Sequence, residues 1–246
     1  MADGAPLMLS VSGLRGIVGT SFTPEVATRF GAAVAGWLAD GGRPQPTVVL
    51  GRDSRPSGPM ISEAVSAGLL GAGANVVDVG LVTTPGLGVM VEHLEADAGV
   101  MVTASHNPAP WNGLKVIRHD ASSPPLEEAA ALMQRFETLE TQAIPGADAD
   151  LCEQISRRDD AVAIHVQKVL EQVDVEKIRA AGLRVVVDSV HGAGGPSADV
   201  LLAELNVQRV HLALEPSGDF QHPPEPTREH LTGLCEAMIK HKADVG

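Results

Sequence analysis

Ala98–Pro108 reads AGVMVTASHNP. Its first five residues are apolar, the mark of a short strand buried on both faces. The next six carry two hydroxyls, an imidazole and an amide, and end on a proline that cannot continue a strand ladder. In open α/β sheets, ligands bind beyond the carboxyl ends of the strands. The stretch therefore marks both the fold and a candidate site.

Working outward, the same rhythm repeats. Thr47–Leu50 (TVVL) and Asn75–Val79 (NVVDV) read as buried strands. Ser57–Ala74 reads as a helix, because Ile61, Val65 and Leu69 recur every four residues and Gly73 suits its end. Gly86–Leu94 reads as a second helix and Pro124–Glu140 as a third. Asn112-Gly113 is a tight-turn signal ahead of the apolar run LKVI, so the chain is expected to fold back as a hairpin that brings Lys115 near Ser105. Thr141–Asp150 is small, acidic and contains Pro and Gly, as a domain boundary does.

A second unit follows. Asp160–Val173 reads as a helix and Leu183–Val187 as a strand, followed by the glycine-rich turn HGAGGP at 191–196. Ser197–Leu205 reads as a helix, Val207–Leu214 as a strand, Gly218–Thr227 as a proline-rich loop and Arg228–Lys240 as a helix. Ala243–Gly246 reads as the first residues of another strand. The predicted fold is α/β: two consecutive three-layer α/β domains with mainly parallel, mixed sheets, residues 1–146 and 147–246, the second incomplete at the C-terminus.

Composition narrows the chemistry. Aromatic residues make up 2% of the 246 and tyrosine is absent, so stacking platforms for single-stranded nucleic acid are not expected. A formal net charge of −13 repels polyanions, although a few cations in one cleft can still hold a small anion. Cys152 and Cys235 match no metal spacing. With no signal-peptide pattern and no run of ~18 apolar residues, the expected compartment is the cytoplasm, with no membrane partner.

Ser105 has a hydroxyl at a strand end with a cation, Lys115, expected nearby. That pairing suits phosphoryl transfer, in which a cation offsets charge on the moving group. A Ser–His hydrolase is the competing use. It lacks a G-x-S-x-G elbow, and neighbouring side chains on extended backbone diverge. Two further clusters carry arginine: SGLRG at 12–16 with Arg15, and GRDSR at 51–55 with Arg52 and Arg55. Arginine can grip a phosphate through two donors. HGAGG has the glycines of a phosphate loop without the Lys and Ser/Thr of a Walker motif. Each cluster also has a plain reading as a capped or solvated loop.

Taken in order, SGLRG at 12–16, GRDSR at 51–55, TASHNP at 103–108, NG-x-K at 112–115, DSVHGAGG at 188–195 and the PEP-containing loop at 223–231 resemble the α-D-phosphohexomutases. That family includes phosphoglucomutase, phosphomannomutase and phosphoglucosamine mutase. The resemblance implies that Ser105 is a phosphoserine which exchanges its phosphoryl group with a hexose phosphate through a hexose 1,6-bisphosphate. It places Arg15 and Lys115 beside that phosphate, with His106 ordering the loop or relaying a proton. It assigns Arg52, Arg55 and Asn107 to phosphate or substrate binding. It also implies Mg²⁺ held by the Ser105 phosphate and a D-x-D-x-D loop, a string that does not occur in these 246 residues. Family members are expected to have four domains, so the chain reads as an N-terminal portion, inactive alone. A non-catalytic phosphosugar-binding domain is the alternative. SGLRG differs from the GTDGIRG-like string expected of glucosamine mutases and so points toward glucose or mannose phosphates.

Overall fold

The computed structural model describes residues 6–11, 13–139 and 155–246. The expected domain boundary at 146/147 lies outside the described residues. Strands β1 (Met8–Ser10), β2 (Gly13–Ile17), β3 (Thr47–Arg52), β4 (Asn75–Leu81), β5 (Ala98–Val102), β6 (Trp111–Arg118) and β7 (Ile155–Arg157) form one sheet, in the order β1-β2-β6-β5-β3-β4-β7. β5, β3, β4 and β7 are parallel to one another, whereas β6, β2 and β1 run antiparallel to their neighbours. β7 lies past the expected boundary, yet it pairs with β4 in the first sheet.

Helices cover both faces. α1 (Pro24–Asp40), α2 (Gly58–Gly71) and α4 (Leu126–Thr138) enclose one core with Val48, Leu50, Val100, Val102 and Val116. α3 (Thr84–His93) covers the other face, over Val49, Met101 and Ile117. α1 is absent from the elements that periodicity predicts. Nine of its residues, including every one from Phe30 to Gly36, are buried, so it has no clean polar face to reveal a 3.6-residue repeat. Gly31 and Gly68 let α1 and α2 touch backbone to backbone. A Cβ at Gly68 would collide with the Thr28 carbonyl, and one at Gly31 with the Val65 carbonyl.

The second unit holds α5 (Ala161–Leu170), α6 (Val175–Ala180), β8 (Arg184–Asp188), α7 (Gly194–Glu204), β9 (Gln208–Leu212) and α8 (Thr232–His241). β8 and β9 are parallel, and Val245 bridges to Val185 on the other side of β8 in the same sense. The strand expected to begin at Ala243–Gly246 thus takes its place beside β8. α5 packs on both α3 and α7, and so joins the two units.

One local expectation is corrected. Asn112-Gly113 does not form a turn: both residues lie inside β6, opposite Gly16 and Arg15. The hairpin itself is real, since β5 and β6 are antiparallel, but its turn is residues 103–110. Asn112 is buried, takes the Gly113 amide on its own side chain and donates to Ser57 Oγ at 2.9 Å. Gly113 is glycine because the Leu14 carbonyl presses on the space a Cβ would take.

Candidate active site

β5, β3 and β4 are adjacent and parallel, so their carboxyl ends deliver residues 103–108, 53–57 and 83–85 to one edge of the sheet. There a cleft of about 230 Å³ is lined by Asp53, Thr83, Thr103 and Ser105 from the first unit and by Ser189, Gly192 and Phe220 from the second. Thr83 caps α3, accepting the Gly86 amide at 3.2 Å.

Ser105 stands exposed at the head of the turn with φ 58°, in the left-handed region that a residue with a Cβ rarely adopts. A chain of bonds holds it there. The Ser105 amide donates to Thr103 Oγ1 at 2.9 Å, and Thr103 Oγ1 donates to Asp53 Oδ2 at 2.6 Å. Asp53 Oδ1 accepts the Arg55 amide at 3.0 Å. His106 Nδ1 lies 3.5 Å from Ser105 Oγ, within reach of a proton exchange after a small movement.

The cations divide. Arg15, on β2, donates to Asn107 Oδ1 at 3.1 Å, tying β2 to the turn. Lys115 on β6 pairs with Gly13 and Met101, so the pleat sets it on the face shared by Arg15, Met101 and Thr103. Burial pushes the Lys115 ammonium below its ordinary value, the nearby Arg15 charge pushes the same way, and Asp53 opposes both. An added anion is what such a pair of cations lacks.

Arg52 and Arg55, expected to bind phosphate, do not line this cleft. Arg52, the last residue of β3, lines a separate groove with Pro59, Ser62 and Asp78. Arg55 is 1% exposed, and all five of its N–H donors are bonded inside the protein. It points under the Ser105 turn, with no donor left unbonded. Asn107 does reach the site, but its side-chain oxygen is taken by Arg15. Asp53 and Thr103 sit inside the quoted motifs, but their part in holding the turn shows only in the fold. Phe220, from the proline-rich loop, carried no local signal at all.

Across the cleft, the second unit presents the HGAGG loop. Val190 and His191 have φ 50° and 56°, and His191 Nδ1 is 2.7 Å from the Glu215 carbonyl. His222 Nε2 lies 2.9 Å from Asp188 Oδ2, and Nδ1 lies 2.9 Å from the Pro223 carbonyl. Gly218, at φ 73°, sits against the Ser54 carbonyl, where no side chain fits.

A divalent cation needs several hard oxygen ligands. Among the described residues, no three His, Cys, Asp or Glu side chains are grouped to hold one. Asp53, the carboxylate in the cleft, is committed to Arg55 and Thr103. The described residues therefore do not form a cation site by themselves. Nor, among them, is any helix long and apolar enough to cross a membrane.

Comparison with known proteins agrees with this architecture. Residues 7–143 match the family model of phosphoglucomutase/phosphomannomutase α/β/α domain I, and residues 163–246 that of domain II. A phosphoglucomutase/phosphomannomutase of Thermococcus kodakarensis is 35% identical over 95% of this chain and 51% of its own length. A phosphoglucosamine mutase of Symbiobacterium thermophilum is 34% identical over 98% of this chain and 53% of its own. A phosphoglucomutase/phosphomannomutase family protein of Burkholderia thailandensis superposes with a TM-score of 0.71 at 27% identity, covering 96% of this chain and 52% of the other. The chain spans about half the length of the curated relatives it matches. With Ser105 in the turn that follows the central strand of domain I and domain II lining the same cleft, the chain belongs to the phosphoglucomutase/phosphomannomutase family.

Proposed function

We propose that Ser105 carries the phosphoryl group in the interconversion of hexose 1- and 6-phosphates. The observation that supports it is an exposed serine in a strained, fully braced turn at the sheet's carboxyl edge, with Arg15 and Lys115 on the same side. In the forward half-reaction the free sugar hydroxyl attacks the phosphorus of phosphoserine. The new sugar O–P bond forms, the Ser105 Oγ–P bond breaks, and the hydroxyl proton leaves as Ser105 Oγ takes one up. A hexose 1,6-bisphosphate results. After it turns round, the reverse step returns its other phosphoryl group to Ser105.

Each residue has a part in this scheme. Ser105 is held where in-line attack is possible, and orientation of both reactants is worth roughly 7–11 kcal/mol of barrier. Arg15 and Lys115 offset the phosphoserine's ~−1.5 to −2 charges. The low proton affinity of Lys115 rises again when that phosphate is present, because an anion favours the charged amine. His106 Nδ1 is the group placed to exchange a proton with Ser105 Oγ. Mg²⁺, which the resemblance implies, would supply further charge neutralisation. Its carboxylates are not found among the described residues, so no step is drawn through it.

Glucose, mannose and glucosamine phosphates all remain within the substrate class, because relatives bearing each kind of name match comparably. The 246 residues alone are proposed to fall short of turnover, and the working compartment is proposed to be the cytoplasm. The direct test is a coupled mutase assay with Mg²⁺ and a bisphosphate activator on the complete gene product, here called the full chain, and on its Ser105→Ala variant, with the 246 residues alone assayed beside them. The variant is expected to lose at least ~1,000-fold in rate, about 4 kcal/mol of barrier. Activity retained in Ser105→Ala rejects the carrier role. Tight hexose phosphate binding with no turnover by the full chain favours a non-catalytic binding domain.

A further inference from the structure

Arg55 does something that neither phosphate gripping nor simple packing describes. It is the largest fully buried side chain among the described residues. Four of its five N–H bonds run to backbone carbonyls of the turn that carries the nucleophile and of the first residue of β6: Nη2 to Ser105 at 3.0 Å and Asn107 at 2.7 Å, and Nη1 to Pro108 and Trp111, both at 2.9 Å. The fifth, Nε, goes to Asp53 Oδ2 at 3.1 Å. That same oxygen takes the Thr103 hydroxyl, and Thr103 takes the Ser105 amide. Ser105 is thus held from both ends of its own residue: its N–H through Thr103 and Asp53, its C=O through Arg55. A buried charge is a poor choice for filling space, since apolar residues of the same volume do that at no desolvation cost. A planar fork of five donors is a good choice for converging several carbonyls.

The second domain completes this arrangement. The Phe220 ring covers the guanidinium from outside, with Cζ 5.2 Å from the ring centroid. The loop bearing it is fixed at Gly218, whose amide donates to the His191 carbonyl at 3.0 Å and which sits against Ser54 and Pro56. Phe220 of domain II thus forms part of the cover over Arg55, which is 1% exposed.

We propose that Arg55 is a positioning residue for phosphoryl transfer at Ser105, acting through the 105–111 turn, and that Phe220 makes this positioning depend on the docking of domain II. The inference rests on the reading of Ser105 as phosphoryl carrier. Arg55 touches no substrate. Its effect is on where Ser105 Oγ stands, and a misplacement of about 1 Å costs roughly 100-fold in rate.

The test measures, in the full chain, the rate of Ser105 phosphorylation by glucose 1,6-bisphosphate, normalised to the fraction of molecules that can be labelled at all. That normalisation removes any loss from misfolding. Arg55→Lys keeps the charge but offers three donors from a point, and should lower the normalised rate about 100-fold. The concentration of bisphosphate giving half-maximal rate should stay within about threefold, because no substrate contact is removed. Phe220→Leu keeps the bulk and loses the ring face, and should slow the step about three- to tenfold in the same pattern. Normalised rates equal to wild type in both variants would overturn the positioning role. So would a large rise in the half-maximal concentration with the maximal rate unchanged, which would mark Arg55 as a substrate-binding group. If Arg55→Lys does not fold, Phe220→Leu decides: an unchanged rate rejects the proposal. Failure of wild-type Ser105 to take up any label would overturn the carrier reading and this inference together, whereas label with unaffected variants removes the inference alone.

Discussion

Strands β5 and β8 are made of similar material. Each has five residues, each is rich in valine, and each ends in a loop with chemical character. All five residues of β5 are buried, but only Val186 is buried in β8. The difference is one of cover. β5 lies between β6 and β3, with α1 and α2 on one face and α3 on the other. β8 has β9 on one side and a single bridge from Val245 on the other. The reactive serine thus stands on the well-covered domain. The loop that closes over it comes from the domain whose strands are partly open.

This contrast predicts unequal responses to the same substitution. Leu50→Ala, at a fully buried position of β3, should cost about 2–5 kcal/mol in denaturant unfolding. Leu212→Ala, in half-buried β9, should cost clearly less, about 1 kcal/mol. Equal losses would mean that the two cores are equally well packed, and the contrast would fall.

Glycines sharpen the comparison on a smaller scale. Gly68→Ala drives a methyl group into the Thr28 carbonyl at the α1–α2 contact and should destabilise by about 1–3 kcal/mol. Gly194→Ala, at the start of α7 with open space around it, should be neutral or slightly stabilising, within about 1 kcal/mol. Matching melting temperatures for the two variants would show that α1 can shift away from α2.

The smallest effects are titrations of opposite sign. Asp188, and then the Pro223 carbonyl, raise His222 above its ordinary 6.5. The folded state then binds the proton more tightly, so this contribution is complete below about pH 6.5 and is lost as pH rises through the raised value. Lys115 is the reverse. Its affinity for the proton is lowered by burial and by Arg15, so stability rises with pH between the lowered value and 10.5. Unfolding followed from about pH 6 to about pH 8 should show a small fall that Asp188→Asn abolishes. A fall that persists in that variant assigns it to another group.

Much of this was readable in advance, and the misses have physical causes. Strand ends are legible because apolar runs stop abruptly, which places Ser105 and the GRDSR cluster just beyond two of them. Arg52 is still inside β3, one residue short of the loop that reaches the cleft. The place of Arg55 could not be read: its carbonyl partners at 105–111 lie about 50 positions away and give no sequence signal. Asn112-Gly113 misled because its turn-forming chemistry is used inside a strand, where the amide side chain bonds Ser57. Phe220 reaches the site only because domain II folds back on domain I.

The central claim is that Ser105 is the phosphoryl carrier. Its most direct test is phosphopeptide mapping after brief incubation of the full chain with hexose 1,6-bisphosphate labelled in both phosphates. The account predicts label on the peptide containing Ser105, chased off by unlabelled hexose 1-phosphate and absent in Ser105→Ala. Label on another residue, or label at Ser105 that hexose phosphate cannot remove, would contradict it.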